Sequence, residues 1–248
     1  MKDGWRGYFG LCGSLLYWLL VAPFQGKPYR MAQVFAQTVR IGVQAVPMNA
    51  LTSLTIGAVL AMQVAAELRK MGAESLVPSL VASSLIKELA PLITAIIVIG
   101  RSGSAVTAEL GTMKVSEEIE ALEVMAIPPM SYLVVPKFWA MTVMMPLLTV
   151  FSIYIGMFGG WLIAWSALDM SAAFFISRAL DYVELRDVAI GLLKSTVFGV
   201  LVVTIACHTG LTVSGGAEGV GRATTRSVVI SLLAVFAANA VLTAIFFF

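Results

Sequence analysis

An all-α integral membrane protein is the fold class this sequence predicts, and three observations carry it. Hydrophobic residues make up 59% of the 248 and charged residues 12%, about half the charged share of a soluble domain. Mean hydropathy is +0.93. Apolar windows of about 18 residues or more recur along the chain, the length a helix needs to cross a bilayer. A net charge of +2 without a basic cluster gives no nucleic-acid footprint. Cys12 and Cys207 stand far apart in apolar settings, outside any disulfide or metal pattern. No small-residue cleavage motif follows the first apolar stretch, so a removed signal peptide is not expected. One membrane domain over residues 1–248 is expected.

Residues 1–30 are read as an interfacial helix. Leu11 to Phe24 is 14 residues, too short for a hydrocarbon core of about 30 Å. Trp5, Tyr8, Phe9, Tyr17, Trp18 and Phe24, with Lys2, Arg6, Lys27 and Arg30, suit a helix lying at the membrane surface. A steeply tilted span from Trp5 is the competing reading. Five spans then follow, over about Ile41 to Glu67, Leu76 to Gly100, Pro129 to Trp165, Val188 to Thr209 and Ser227 to Phe248. Pro47 is tolerable near the start of the first. A turn at Gly72 to Ser75 joins the first two, and a short mixed-charge extramembrane segment covers Asp169 to Asp187.

Lysines and arginines set an orientation. Ten (Lys2, Arg6, Lys27, Arg30, Arg40, Arg101, Lys114, Lys137, Arg222, Arg226) fall on the side of the N-terminus and four (Arg69, Lys70, Arg178, Arg186) on the other. The N-terminus is therefore expected in the cytoplasm and the C-terminus outside.

The stretch Leu85 to Pro129, LIKELAPLITAIIVIGRSGSAVTAELGTMKVSEEIEALEVMAIPP, holds most of the candidate chemistry. Its first half is an apolar span with Lys87 and Glu88 inside it. Ionisable residues within a span are costly and point to function. Adjacent on a helix, these two point about 100° apart and cannot simply neutralise each other. Lys194, in the fourth span, is a candidate partner for Glu88 across a cavity in the outer half of the membrane. Gln63 is a weaker lining candidate. Such groups suit the lining of a cavity that receives an amphipathic headgroup, with a structural ion pair holding helices together as the alternative.

The second half is an acidic helix from about Val106 to Met125, with Glu109, Glu117, Glu118, Glu120 and Glu123. Gly111 and a turn at Gly103 are expected to bring it under the membrane, and Pro128-Pro129 to stop it. Ile119, Leu122, Met125 and Ala126 give it an apolar face. Docking into the groove of a motor subunit fits this better than a solvated loop helix.

Other features are plainer. Gly216 to Ala223, GAEGVGRA, approaches a phosphate-binding loop, but Arg222 and Ala223 replace the Lys and the Ser/Thr. It reads as a cytoplasmic turn, with Thr224 or Thr225 capping the last helix. No ATPase activity is expected in this chain. Gly156 and Gly160 have helix-packing spacing, and His208 reads as a packing residue.

On LIKELAPLITAIIVIGRSGSAVTAELGTMKVSEEIEALEVMAI, PKFWAMTVMMPLLTV and GRATTRSVV, the chain resembles the MlaE (YrbE) permeases, membrane subunits of MCE-type ABC transporters. The resemblance covers about Gln33 to Phe246; the N-terminal 30 residues match only in character. It implies a homodimer with an interfacial helix, five spans and a coupling helix at residues 104–125. Implied partners are an ATP-hydrolysing subunit carrying ATP and magnesium, a hexameric periplasmic MCE-domain protein and a STAS-domain protein. The implied coupling residues are Glu109, Lys114, Glu117, Glu118, Glu120 and Glu123. The implied cargo is phospholipid, moved between the inner and outer membranes of Gram-negative bacteria to maintain lipid asymmetry. Its cavity would involve Gln63, Lys87, Glu88, Leu89 and Lys194. Lys87 lacks the bidentate geometry of an arginine. An ion-coupled secondary transporter, a membrane scaffold, an exporter of glycans or drugs, and a permease for sterols or other hydrophobic molecules are the alternatives.

Overall fold

The computed structural model describes residues 2–21 and 31–247, and among these no strand occurs. The predicted interfacial segment over 22–30, with Phe24, Lys27 and Arg30, lies outside the described residues, as do the side chains of Lys2, Trp5 and Arg6 and the last residue, Phe248. The helices are α1 (Lys2–Leu16), α2 (Met31–Ile41), α3 (Val46–Lys70), α4 (Val77–Ser84), α5 (Ala90–Val98), α6 (Ser104–Val115), α7 (Glu118–Val124), α8 (Val135–Leu168), α9 (Ala172–Tyr182), α10 (Leu185–Leu211) and α11 (Gly216–Phe247). Among the described residues, five helical runs are long and apolar enough to cross a membrane: Met31–Lys70, Glu74–Val115, Met130–Leu168, Leu185–Leu211 and Gly216–Phe246. The N-terminal apolar helix, Gly7–Leu20, falls short of that length, as its sequence requires.

Three boundaries differ from expectation, each for a local reason. The first span begins at Met31, because Pro47 sits in the first turn of α3, where a missing N–H costs nothing, and a tight turn at Val43–Ala45 joins it to α2. The second span does not turn at Gly103. That residue is helical at φ −62°, and a Cβ there would lie 3.2 Å from Val202, so the glycine serves packing. The chain instead continues helically to Val115 and breaks at Glu117, whose φ of 59° is left-handed. The predicted single acidic helix is thus the end of a span plus a separate short helix.

The glycine-rich segment is also helical. Gly215 and Gly216 turn the chain at φ 92° and 69°, a backbone that suits glycine. α11 starts there, and an Arg222–Glu218 ion pair of 2.7 Å lies along its first turns. Thr224 and Thr225 therefore do not cap. Their hydroxyls donate back to the carbonyls of Val220 at 2.8 Å and Gly221 at 3.3 Å.

The helices contribute to two compact units. One comprises 1–45, 98–144 and 197–241; the other 46–97, 145–196 and 242–248. In the first, Ser102 donates to the Ile41 carbonyl at 2.7 Å. The buried Thr107 hydroxyl lies 2.9 Å from that of Ser227. The Tyr8 and Thr204 hydroxyls are 2.9 Å apart, and the Tyr8 ring meets His208 edge-on. His208 is thus a packing residue.

In the second unit, α3 and α8 approach backbone to backbone. A Cβ on Gly57 would lie 1.9 Å from the Gly156 carbonyl oxygen, and one on Gly159 2.3 Å from that of Leu54. Small residues permit such contact where lipid-immersed helices lack a hydrophobic driving force. The buried Ser53 hydroxyl donates to Ser152 at 2.9 Å, and Thr94 joins them at 2.8 Å. Contacts of this kind contribute about 0.6 kcal/mol each. The Gly156 spacing therefore packs helices within one chain.

Candidate functional site

In the second unit, a π-helical turn at Leu85–Leu89 interrupts the second span. Its marker is the Ala90 N–H bonding to the Leu85 carbonyl. Turns of this type often occur at functional sites. Here the turn sends two adjacent ionisable side chains to two levels of α10. Lys87 reaches Asp187 at 3.1 Å, and Glu88 reaches Lys194 at 2.5 Å. Asp187 and Lys194 are seven residues apart, two turns along one helical face and about 10 Å in rise.

Lys194 is fully buried. Its ammonium donates to Glu88 Oε1 at 2.5 Å, to the Thr243 hydroxyl at 2.8 Å and to the Lys87 carbonyl at 3.2 Å. Three acceptors match the three protons an ammonium can donate. The Thr243 hydroxyl in turn donates to Glu88 Oε1 at 2.8 Å, so the carboxylate joins the second, fourth and fifth spans. Close approach makes this possible. A Cβ on Gly191, midway between Asp187 and Lys194, would lie 2.5 Å from the Ile86 carbonyl oxygen.

The predicted pairing of Glu88 with Lys194 is thus present, as direct contact. Leu89 is half-buried and packs on the cluster of Ala61, Ala65, Val77, Val81 and Leu85. Gln63 stands exposed on α3. Two participants were missed. Asp187 falls in the extramembrane segment expected from the sequence, although its seven-residue spacing from Lys194 is a usable signal. Thr243 carries no signal in an apolar helix. The side chains of Lys87 and Glu88 keep 28% and 33% exposure, so the network has an open side.

The predicted coupling residues separate into two groups, both within the first unit. Glu109 faces inward, bonded to Arg40 and to the fully buried Lys137, each at 2.8 Å. Lys114 bonds Glu120 across the break between α6 and α7, and this holds the Glu120 carboxyl below its ordinary range. Glu117, Glu118 and Glu123 are exposed. Ile119 is buried and anchors α7, while Val124 and Met125 are 88% and 60% exposed. α7 therefore presents acidic and apolar groups together.

The Permease MlaE family model matches residues 34–245. A probable ABC transporter permease of Synechocystis is 41% identical over 199 residues, covering 80% of this chain and 76% of that protein. A probable ABC transporter permease of Rickettsia prowazekii is 35% identical over 234 residues, covering 94% and 90%. The intermembrane phospholipid transport system permease of Haemophilus influenzae is 37% identical over 244 residues, covering 96% and 91%. With a family match over most of its length and relatives of this similarity, the chain belongs to the MlaE permease family.

Proposed function

We propose that this chain is the membrane permease subunit of an ABC transporter that moves phospholipid between the inner and outer membranes and so maintains outer-membrane lipid asymmetry. The observation that carries the reading is the 37% identity, over nearly the full length of both chains, to a permease named for intermembrane phospholipid transport. The polar network in the spans supports it. Lys87, Glu88 and Leu89, with Gln63, line the lipid site, Lys194 stands buried behind Glu88, and Lys87 offers a part-exposed ammonium to a phosphate headgroup. Glu88 and Lys194 hold the spans in register around it.

A separate ATPase binds and hydrolyses ATP with magnesium, and this chain needs no cofactor of its own. Glu117, Glu118, Glu120 and Glu123 on the coupling segment meet that ATPase. Lys114 holds the segment's shape through Glu120, and Glu109 ties it to Arg40 and Lys137. Two copies of the permease pair. The last span supports this, with 11% of its most apolar window buried within the chain against 61% for the second span. A hexameric MCE-domain protein receives lipid on the periplasmic side, and a STAS-domain protein accompanies the ATPase. The N-terminus and coupling segment lie in the cytoplasm and the C-terminus in the periplasm. Ion coupling is not favoured, because family and relatives are ABC permeases.

The test is reconstitution of the whole complex in liposomes with fluorescent phospholipid. Transfer that requires ATP and is lost in Glu88→Gln is expected. Transfer that follows an ion gradient without ATP would sink the reading.

A further inference from the structure

A cleft of about 330 Å³ opens in the first unit, lined by Gln37, Arg40, Gln44, Arg101, Ser102 and Glu109 among others. Its charges do not balance. Glu109 answers both Arg40 and the buried Lys137, at 2.8 Å each. Arg101 donates to Gln44 Oε1 at 3.2 Å, a neutral acceptor. Three cations against one carboxylate leave two positive charges, and the guanidinium of Arg101 faces no anion among the described residues. Gln37 adds an independent sign, since its buried side-chain oxygen has no hydrogen-bond partner. An orphaned acceptor of this kind is costly unless a donor meets it.

The setting suits a lipid more than a soluble ligand. α2 supplies Gln37 and Arg40 to the cleft and exposes Met31, Phe35 and Val39, each more than half exposed. These lie at four-residue spacing, an apolar stripe that beds a helix among acyl chains near the headgroups. Basic pockets between spans at that depth bind anionic headgroups. A guanidinium can grip a phosphodiester through two parallel hydrogen bonds, and a headgroup hydroxyl can donate to Gln37.

We infer that this cleft is a binding site for an anionic glycerol-headgroup phospholipid, with the phosphodiester on Arg101 and a headgroup hydroxyl on Gln37. It shares no residue with the network around Glu88 and does not depend on what the permease carries. The bound lipid would neutralise the excess charge and brace α2 against α6, the helix that leads to the coupling segment.

Photoreactive phosphatidylglycerol and phosphatidylcholine in nanodiscs, followed by peptide mapping of the labelled full chain, test this. Phosphatidylglycerol should label residues 31–44 and 98–109 in preference to phosphatidylcholine. Arg101→Gln should reduce that labelling by roughly tenfold or more, since the charge and the paired hydrogen bonds are both lost. Arg101→Lys, which keeps the charge but not the fork, should keep part of it. Gln37→Leu should weaken phosphatidylglycerol labelling but spare phosphatidic acid, which has no headgroup hydroxyl. Equal labelling by phosphatidylcholine, or unchanged labelling in Arg101→Gln, would overturn the site. Full competition by inorganic phosphate would overturn the lipid assignment.

Discussion

Lys194 lies inside a membrane span with Glu88, Thr243 and the Lys87 carbonyl all accepting from it. Removing one partner of a buried pair costs more than removing both, since it strands a charge. Glu88→Gln should therefore destabilise by about 3 kcal/mol, tempered by the partial exposure of Glu88. Lys194→Met should cost less, because the carboxylate it leaves can reach water. The double variant should recover part of the loss. Unfolding in detergent reads all three, and a double variant worse than Glu88→Gln would refute the account. How much of this was legible depends on the residue. Lys87, Glu88 and Lys194 stand out because charge in an apolar run is rare. Thr243 was invisible, since threonine is ordinary in a span. Asp187 was misassigned because it stands beside charged neighbours at a helix start.

At the scale of elements, the spans were legible from hydropathy and their junctions were not. A helix crosses Gly100 and Gly103 because the chain bonds through a π turn at Ile99–Gly103, and Gly103 packs closely on Val202. Glycine marks turns and close contacts alike, so the residue alone does not distinguish them. The same holds for Gly191, where Gly191→Ala should push α10 away from Ile86 and loosen both ion pairs. A lowered melting temperature and loss of lipid transfer are expected; wild-type values for both would contradict the close approach.

The break at Glu117 makes α7 a separate short helix. Its left-handed backbone costs a non-glycine residue about 1 kcal/mol, so Glu117→Gly should be neutral or slightly stabilising by thermal unfolding. A marked loss would mean the Glu117 side chain has a structural role. The Lys114 bond lowers the folded-state pKa of Glu120, so this link stabilises α7 above the ordinary glutamate range. It is lost as pH falls through the lowered value. Carboxyl-carbon NMR should show Glu120 titrating below the ordinary glutamate range and rising in Lys114→Met. Titration of Glu120 in the ordinary range, unmoved by Lys114→Met, would remove the link.

Across the whole molecule, apolar composition yields five spans, intramembrane charge a network joining three of them, and an acidic stretch a short helix beyond a span. The fold class was legible because bilayer length and hydropathy leave few alternatives. The polar sites were only half legible, because their partners come from distant parts of the chain. Glu117→Lys with Glu120→Lys should release the ATPase while the permease still inserts, and unchanged co-purification would refute the docking assignment. The central claim is tested most directly by affinity purification of the chain from its native membrane, with mass spectrometry of bound proteins and lipids. An ATPase, an MCE-domain protein and stoichiometric phospholipid are predicted. A lone oligomer with neither ATPase nor phospholipid would contradict the account.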